Sequence, residues 1–450
     1  MSPTRTWPKS CAALLSLVCG IAAGCNDATT TPADAAPSPD ASHVAADMSE
    51  PPPDPHYPSP HPPTPLVDNL GGPIIANPHI VTVTFGADGD PAADPQRSFL
   101  ESFNDTITST AWWDAVRAGY CDQATPPHCI GKGMGGGHVH LTDSAAATYV
   151  DSDETGARTS SIKAMIRGYV ANGTFPAPDA NTIYAIYFPA GTQITEDGIV
   201  GGGSCTFFLG YHASLAITVP GSTADGGAPS DAGSGTTIEV PYLVLPRCST
   251  RGSDLTEYTS HEIIEAATDP VARDPAGDGT TWVMKTDPVF SALRGDEVGD
   301  LCTWFDASIT LGESGFVVQR SWSNDAAKAG HDPCVPAPDP ATTPYFNTAP
   351  SSDNLTLAVG TSTTIDLTGF SDAPTSGDWK LNIIDVSSNT GGTAGVTSFG
   401  LSQPTAHNGS KLQLTVTLNK PTTPGHPDYL AIRSVKGTSV HLWPIAVTGK

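Results

Sequence analysis

Residues 182–189 read TIYAIYFP and residues 237–248 read TIEVPYLVLPRC. Both read as strands buried in a sheet. Upstream, in NPHIVTVTFG, Val81, Val83 and Phe85 alternate with threonines, as a strand with one buried face does. The segment DPQRSFLESFNDTI follows, with Phe99, Leu100, Phe103 and Ile107 at helical spacing ahead of Trp112 and Trp113. A second helix is predicted from Ser160 to Ala171, where Ile162, Met165, Ile166 and Tyr169 share a face before a Gly/Pro stop. Strands and helices alternate in this way to about residue 335, which predicts one α/β (α+β) domain over 66–335. Within it, GSTADGGAPSDAGSGTT (Gly221 to Thr237) reads as a flexible surface insertion. VPAPDPATTP then supplies a linker, assigned to 336–345. Beyond it LTLAV, TTIDLT, WKLNIID, LQLTVTL, YLAIRSV and HLWPIAV are strand-like without helical period, which predicts an all-β, Ig-like sandwich over 346–450.

The chain has 450 residues, 21 Lys plus Arg against 46 Asp plus Glu, and a formal charge of −25. Such a field repels nucleic acid and anionic headgroups, so neither is an expected partner. Arg5 and Lys9 precede an uncharged run from Cys11 to Ala23, too short to span a bilayer and suited to a secretory signal. The run ends Ala22-Ala23-Gly24-Cys25, which resembles a bacterial lipobox. Residues 1–25 are therefore read as a lipoprotein signal with Cys25 as the lipidated residue, and cleavage to a soluble secreted protein is the alternative. Residues 26–65, with twelve prolines in forty residues, are expected to be a disordered tether. Membrane contact is expected through the lipid alone, at the outer membrane or cell surface. The mature cysteines Cys121, Cys129, Cys205, Cys248, Cys302 and Cys334 predict three disulfides in an exported chain. Fifteen pairings are open, and joining sequence neighbours is the simplest of them.

The candidate site is SHEIIEAATDP, residues 260–270. Asp254 and Glu257 have the spacing of a capping box at the start of its helix, and Asp269-Pro270 ends it. At 100° per residue His261 and Glu265 lie about 40° apart, with Glu262 about 60° from Glu265. A helix offers a metal two ligands and a neighbouring carboxylate in this way. Downstream, GDEVGDLC places Glu297 and Asp300 three apart, on one face if that turn is helical. Together these resemble the arrangement in thermolysin-like zinc peptidases. The resemblance implies a zincin-like domain, with His261, Glu265 and Glu297 as ligands, Asp300 orienting a ligand, and Glu262 as general base. Glu265 stands where those enzymes carry histidine, giving a harder ligand set. One divalent metal is expected, zinc first, with calcium or manganese as alternatives. In the alternative reading, His261 pairs with Glu265 on a structural helix and Glu297 and Asp300 satisfy backbone donors.

Several other segments draw weaker readings. GGGHVHL places His138 and His140 on one side of an extended segment. His212 in GYHAS is an extra ligand, a transition-state donor or a hydrogen-bonded core residue. Asp151, Asp153 and Glu154 lack the glycine and terminal glutamate of an EF-hand loop. No G-x-S-x-G element is present.

GGPIIANPHIVTVTFG, IYAIYFPAGTQI, SCTFFLGYHAS, LVLPRC, SHEIIEAATDP and EVGDLC occur in that order over the central domain. Jointly they resemble the phosphate-induced protein 1, or exordium-like, family. That resemblance implies an exported protein with a cell-wall or cell-surface role, and it implies no enzymatic activity. The expected function is metal-dependent hydrolysis, of peptide bonds or a cell-wall substrate. The competing class is a non-catalytic cell-surface or cell-wall binding protein.

Overall fold

TIYAIYFP does form the middle of a sheet. In the computed structural model five strands, β1 (His79–Phe85), β2 (Met134–Leu141), β3 (Thr182–Phe188), β4 (Tyr211–Val219) and β5 (Thr236–Pro246), lie in the order β2-β1-β3-β5-β4. The first four are mutually parallel, and β4 runs antiparallel to β5 at one edge. The structure describes residues 56–86, 94, 96–142, 147–151, 161–196, 203–219, 235–249, 251–271, 280–303, 308–337 and 344–450.

Every residue of β3 is buried because both faces of the sheet are covered. On one face Ile183, Ala185 and Tyr187 share a core with Leu100 and Phe103 of α1 (Arg97–Thr106) and with Trp112 and Trp113 of α2 (Ala111–Val116). On the other, Tyr184, Ile186 and Phe188 pack with Ile162 and Ile166 of α3 (Ile162–Ala171). The Ser161 hydroxyl caps α3 by accepting from the Ala164 amide.

The helix bearing the candidate site, α4 (Gly252–Thr268), buries Leu255, Ile263 and Ile264 in the first of these cores. Its expected capping box does not form. The helix starts earlier, after Arg251, so Asp254 falls inside the first turn, where its charge suits the helix dipole and pairs with Arg251 at 3.1 Å. The other end falls at Thr268, with Asp269 as C-cap before Pro270.

A helix α5 (Pro288–Arg294) and a hairpin of β6 (Ser308–Leu311) and β7 (Phe316–Gln319) follow. The C-terminal region is all β: β8 (Phe346–Pro350), β9 (Asn354–Leu357), β10 (Ser362–Ser371), β11 (Trp379–Asp385), β12 (Thr397–Leu401), β13 (Thr405–Ala406), β14 (Lys411–Leu418), β15 (Asp428–Lys436) and β16 (Ser439–Gly449). They form two sheets, β8-β10-β14-β12 and β9-β16-β15-β11-β13. In β14, Leu412, Leu414, Val416 and Leu418 point inward, and Lys411, Gln413 and Thr415 point outward. The inward residues share one core with Trp379, Leu381, Ile432 and Trp443 of the second sheet. The protein is thus mostly β, and among the described residues the α-helices are confined to its first part.

Disulfides join Cys121 to Cys129, Cys205 to Cys248 and Cys302 to Cys334, the neighbour pairing. Three such bonds belong to an oxidising, exported setting. No described helix is long and apolar enough to cross a membrane.

Two parts of the expected organisation change. Residues 56–65, assigned to the tether, pack against the body: Ser59 is buried, its amide donating to Asn408 Oδ1, and the His61 ring stacks on Phe370 at 3.6 Å. Proline-rich chain has little conformational freedom to lose, so a few such contacts suffice to hold it. The C-terminal sheets, in turn, dock on the α/β part. Phe290 of α5 meets Trp443 edge-on at 5.5 Å and Trp322 at 6.0 Å, while Val289 packs with Val386, Tyr429 and Leu442. The signal, Cys25 and residues 26–55 lie outside the described residues, as do 221–234 of the insertion and 338–343 of the linker. Thr236 and Thr237, read as insertion, belong to β5.

Phe290→Ala should remove the ring both regions share and destabilise the chain by about 3–5 kcal/mol. Urea unfolding measures this, and a loss under about 1 kcal/mol would contradict the shared core.

Candidate metal centre

On α4 the residue order puts two acids on the buried side. Glu262 and Glu265 are 5% and 2% exposed, and an unpaired charge at such burial is costly. The helix is fixed beside β7 by its own hydroxyls: Ser260 Oγ accepts from the Gln319 amide at 2.8 Å and Thr256 Oγ1 from the Val317 amide at 3.1 Å. The Tyr187 and Thr259 hydroxyls, 3.0 Å apart, tie its other side to β3.

Glu265 is the most constrained acid. Its Oε1 accepts from the amides of Gly299 (3.1 Å) and Asp300 (2.9 Å). Its Oε2 lies 3.1 Å from His261 Nε2 and 3.7 Å from Nδ1 of His212, a residue of the edge strand β4. His212 Nδ1 is also 3.4 Å from Glu262 Oε2, and its Nε2 is 3.5 Å from Glu297 Oε1. Asp300 Oδ1 stands 3.6 Å from His261 Nε2, and Glu262 Oε1 3.9 Å. Two groups therefore bring ligand atoms within 4.8 Å of one another, His261–Glu265–Asp300 and His212–Glu262–Glu265. Glycines make the space. A Cβ on Gly299 would fall 2.7 Å from Glu265 Oε1, and one on Gly210 would fall 3.2 Å from Glu262 Oε1.

The Gln319 side chain determines which nitrogen of His261 can act. Its Nε2 donates to the carbonyls of Gly299 (2.8 Å) and Arg320 (3.3 Å), so its Oε1, 3.0 Å from His261 Nδ1, is the acceptor there. Nδ1 then carries a proton, and the Nε2 lone pair points among carboxylates. A second proton on the ring, a protonated carboxyl or a cation can satisfy that position.

In the ion-free protein, protons fill the role. Burial opposes charge on His212, but Glu297, Glu262 and Glu265 outweigh it and push its pKa up to about 10. Burial likewise opposes charge on His261, and Glu265, Glu262 and Asp300 raise its pKa well above the ordinary imidazole value. For Glu265, burial is outweighed by His261 and then His212, so its carboxyl is held low. Burial pushes Glu297 and Asp300 well above the carboxylate range, and Glu265 adds repulsion to both.

The expected ligand set is rearranged. His261 and Glu265 meet, but Asp300, expected to orient a ligand, occupies the place expected of Glu297. Residues 297–301 do close one turn, the Leu301 amide donating to the Glu297 carbonyl at 3.2 Å, but Glu297 also bridges Val283 and the two side chains approach different histidines. Glu297 faces His212 and Asp300 faces His261. Glu262 lies beside both histidines. His212 comes into the site from β4, far away in sequence. Its only advance signal was its place in GYHAS, and Gln319 and Gly299 gave none.

The other candidates lie elsewhere. His138 pairs with Asp105 at 3.0 Å and His140 with the Thr84 hydroxyl at 2.8 Å on β2. Asp151 accepts from the hydroxyls of Tyr211 and Tyr242, and Asp153 and Glu154 are outside the described residues.

No protein-family model and no curated protein matches this chain. Among solved structures it is similar to domains 4 and 5 of the S-layer protein SbsC, at 17% identity and a TM-score of 0.18, over 24% of this chain and 54% of that one. Domains 4–9 of the surface layer protein SbsC match at 16% identity and a TM-score of 0.18, over 24% of this chain and 15% of that one. The chain thus spans about half, or less, of the structures it matches, and likeness at this level carries no argument about fold or function.

The pKa directions give a signed prediction for the ion-free protein. The His212 pKa rises from 6.5 to about 10 on folding, so its contribution is full below pH 6.5 and is lost as pH climbs through 10. The raised His261, Glu297 and Asp300 act in the same sense. In chelator, urea midpoints should fall steadily between pH 6.5 and 10, with each such group contributing at most about 1.4 kcal/mol per pH unit. A midpoint constant over that range would contradict the assignment.

Proposed function

We propose that this chain is an exported, lipid-anchored, exordium-like protein whose zincin-like α/β domain is a divalent-metal-dependent hydrolase of peptide bonds. The observation that carries the reading is the Gln319–His261 hydrogen bond, which leaves the His261 Nε2 lone pair directed at Glu265 and Asp300. His261, Glu265 and Asp300 would hold the ion. One imidazole and two carboxylates suit zinc or manganese better than calcium, which favours six to eight oxygen ligands. When bound, the ion supplies Lewis acidity to a carbonyl oxygen and makes water a better nucleophile.

The chain's own groups perform the rest. Gln319 holds the His261 ring, and the amides of Gly299 and Asp300 hold Glu265, so the ligand atoms are in place before anything binds. Glu262 Oε1, facing the first position, takes the proton from the attacking water and returns it to the leaving amine. Substrate enters from the side of Asp300 and Glu297, whose side chains are 28% and 24% exposed while that of Glu262 is 6% exposed. Lipidation at Cys25, followed by the proline-rich stretch to residue 55, would hold this opening away from a membrane.

Purified protein should cleave a mixed peptide pool, stop after chelation and recover with added Zn²⁺. Glu262→Gln should lower kcat by about 10²- to 10⁴-fold while the His261–Glu265–Asp300 position still takes an ion. Wild-type protein that binds no metal and cleaves nothing would contradict the proposal and leave the non-catalytic surface-protein reading.

A further inference from the structure

We infer that the centre holds two divalent cations, the second bound by His212 Nδ1, Glu262 Oε2 and Glu265 Oε2, with Glu265 shared between both ions. The inference rests on the hydrolase reading for its catalytic use, though not for its binding.

Three observations point to it. The first is spacing. Two atoms each about 2.0 Å from a tetrahedral ion lie about 3.3 Å apart. The separations from His212 Nδ1 are 3.4 Å to Glu262 Oε2 and 3.7 Å to Glu265 Oε2, and those from His261 Nε2 are 3.1 Å to Glu265 Oε2 and 3.6 Å to Asp300 Oδ1. The two groups share only Glu265. Two positions on one carboxylate oxygen result, in the manner of two-ion hydrolytic centres whose ions are about 3.5–4 Å apart.

The second is His212 itself. Its Nε2 is buried and makes no hydrogen bond among the described residues, although Glu297 Oε1 is 3.5 Å away. With a cation on Nδ1 the ring is the Nε2–H tautomer, and a small tightening lets Nε2 donate to Glu297. That is the arrangement by which carboxylates orient ligating histidines, and the Gln319–His261 pair provides the same support at the first position.

The third is charge. Glu262, Glu265, Glu297 and Asp300 bring four carboxyl groups to one site, which carry four negative charges once cations displace their protons. A single divalent cation balances half of that, and two balance it with both imidazoles neutral. At this burial the uncompensated half is costly. In the two-ion centre Glu262 Oε2 is a ligand, and Oε1 still faces the first position.

The test is metal stoichiometry and magnetic coupling on the full chain. Titrated with Mn²⁺ alone, wild type should bind two ions and show the exchange-coupled electron paramagnetic resonance signal of a close pair. His212→Gln should bind one and give an isolated-ion spectrum. Asp300→Asn should weaken one ion, and Glu265→Gln should weaken both. Wild type that binds one ion, lost in Asp300→Asn and kept in His212→Gln, would overturn the second position and leave the hydrolase reading standing. Wild type that binds none would overturn both. Because the wild-type count alone decides the second position, a variant that fails to fold does not blunt the test.

Discussion

Two carboxylates buried on a helix that also packs an apolar core must be compensated, and much around α4 serves that need. Glu262 and Glu265 are nearly inaccessible, and the next two acids, Glu297 and Asp300, arrive from a separate segment. Two like charges 4 Å apart cost about 4 kcal/mol at an effective dielectric near 20. Backbone amides from Gly299 and Asp300, two imidazoles and either protons or cations offset that cost. The absence of a side chain at Gly299 lets the loop approach Glu265, and the absence of one at Gly210 leaves room for Glu262 beside the edge strand.

The fold supplies rigid mounts for this cluster. A parallel sheet covered on both faces holds α4 through Ile263, Ile264 and Leu255, and a hairpin holds its other flank through hydroxyl-to-amide bonds. The antiparallel edge strand contributes His212 where the sheet stops. Cys205–Cys248 closes the segment before β4 onto the end of β5, and Cys302–Cys334 anchors the chain just after Asp300. Both disulfides thus lie near in sequence to segments that furnish side chains of this cluster. In the proposed reading, such preorganisation keeps ligand atoms at ion spacing although like charges repel.

The sheet and its helices were legible because burial on both faces leaves continuous apolar runs such as TIYAIYFP, and one-sided burial leaves alternation such as LQLTVTL. His261 and Glu265 were legible because helical geometry alone puts them on one side. The exchange of Glu297 and Asp300 was not legible. It depends on which histidine each side chain meets, His212 for Glu297 and His261 for Asp300, and those are contacts distant in sequence. His212 was legible only as one of three readings of GYHAS, for a similar reason: strand pairing in the folded sheet brings β4 to α4, and no local spacing encodes that pairing. The start of α4 moved because a first-turn acid and a capping acid look alike in sequence, and only the Arg251–Asp254 pair separates them. Residues 56–65 have a linker's composition, and their anchors, Asn408 and Phe370, are remote in the chain.

The central claim is that Glu265 is the shared pivot of a cation site. Anomalous diffraction at the zinc edge, on crystals of the full chain grown with Zn²⁺, tests it most directly. The account predicts two anomalous peaks, each about 2 Å from Glu265 Oε2, one on the His261 side and one on the His212 side. Zinc-soaked crystals with no peak within bonding distance of Glu265, and with the imidazoles of His212 and His261 hydrogen-bonded directly to the carboxylates, would contradict it.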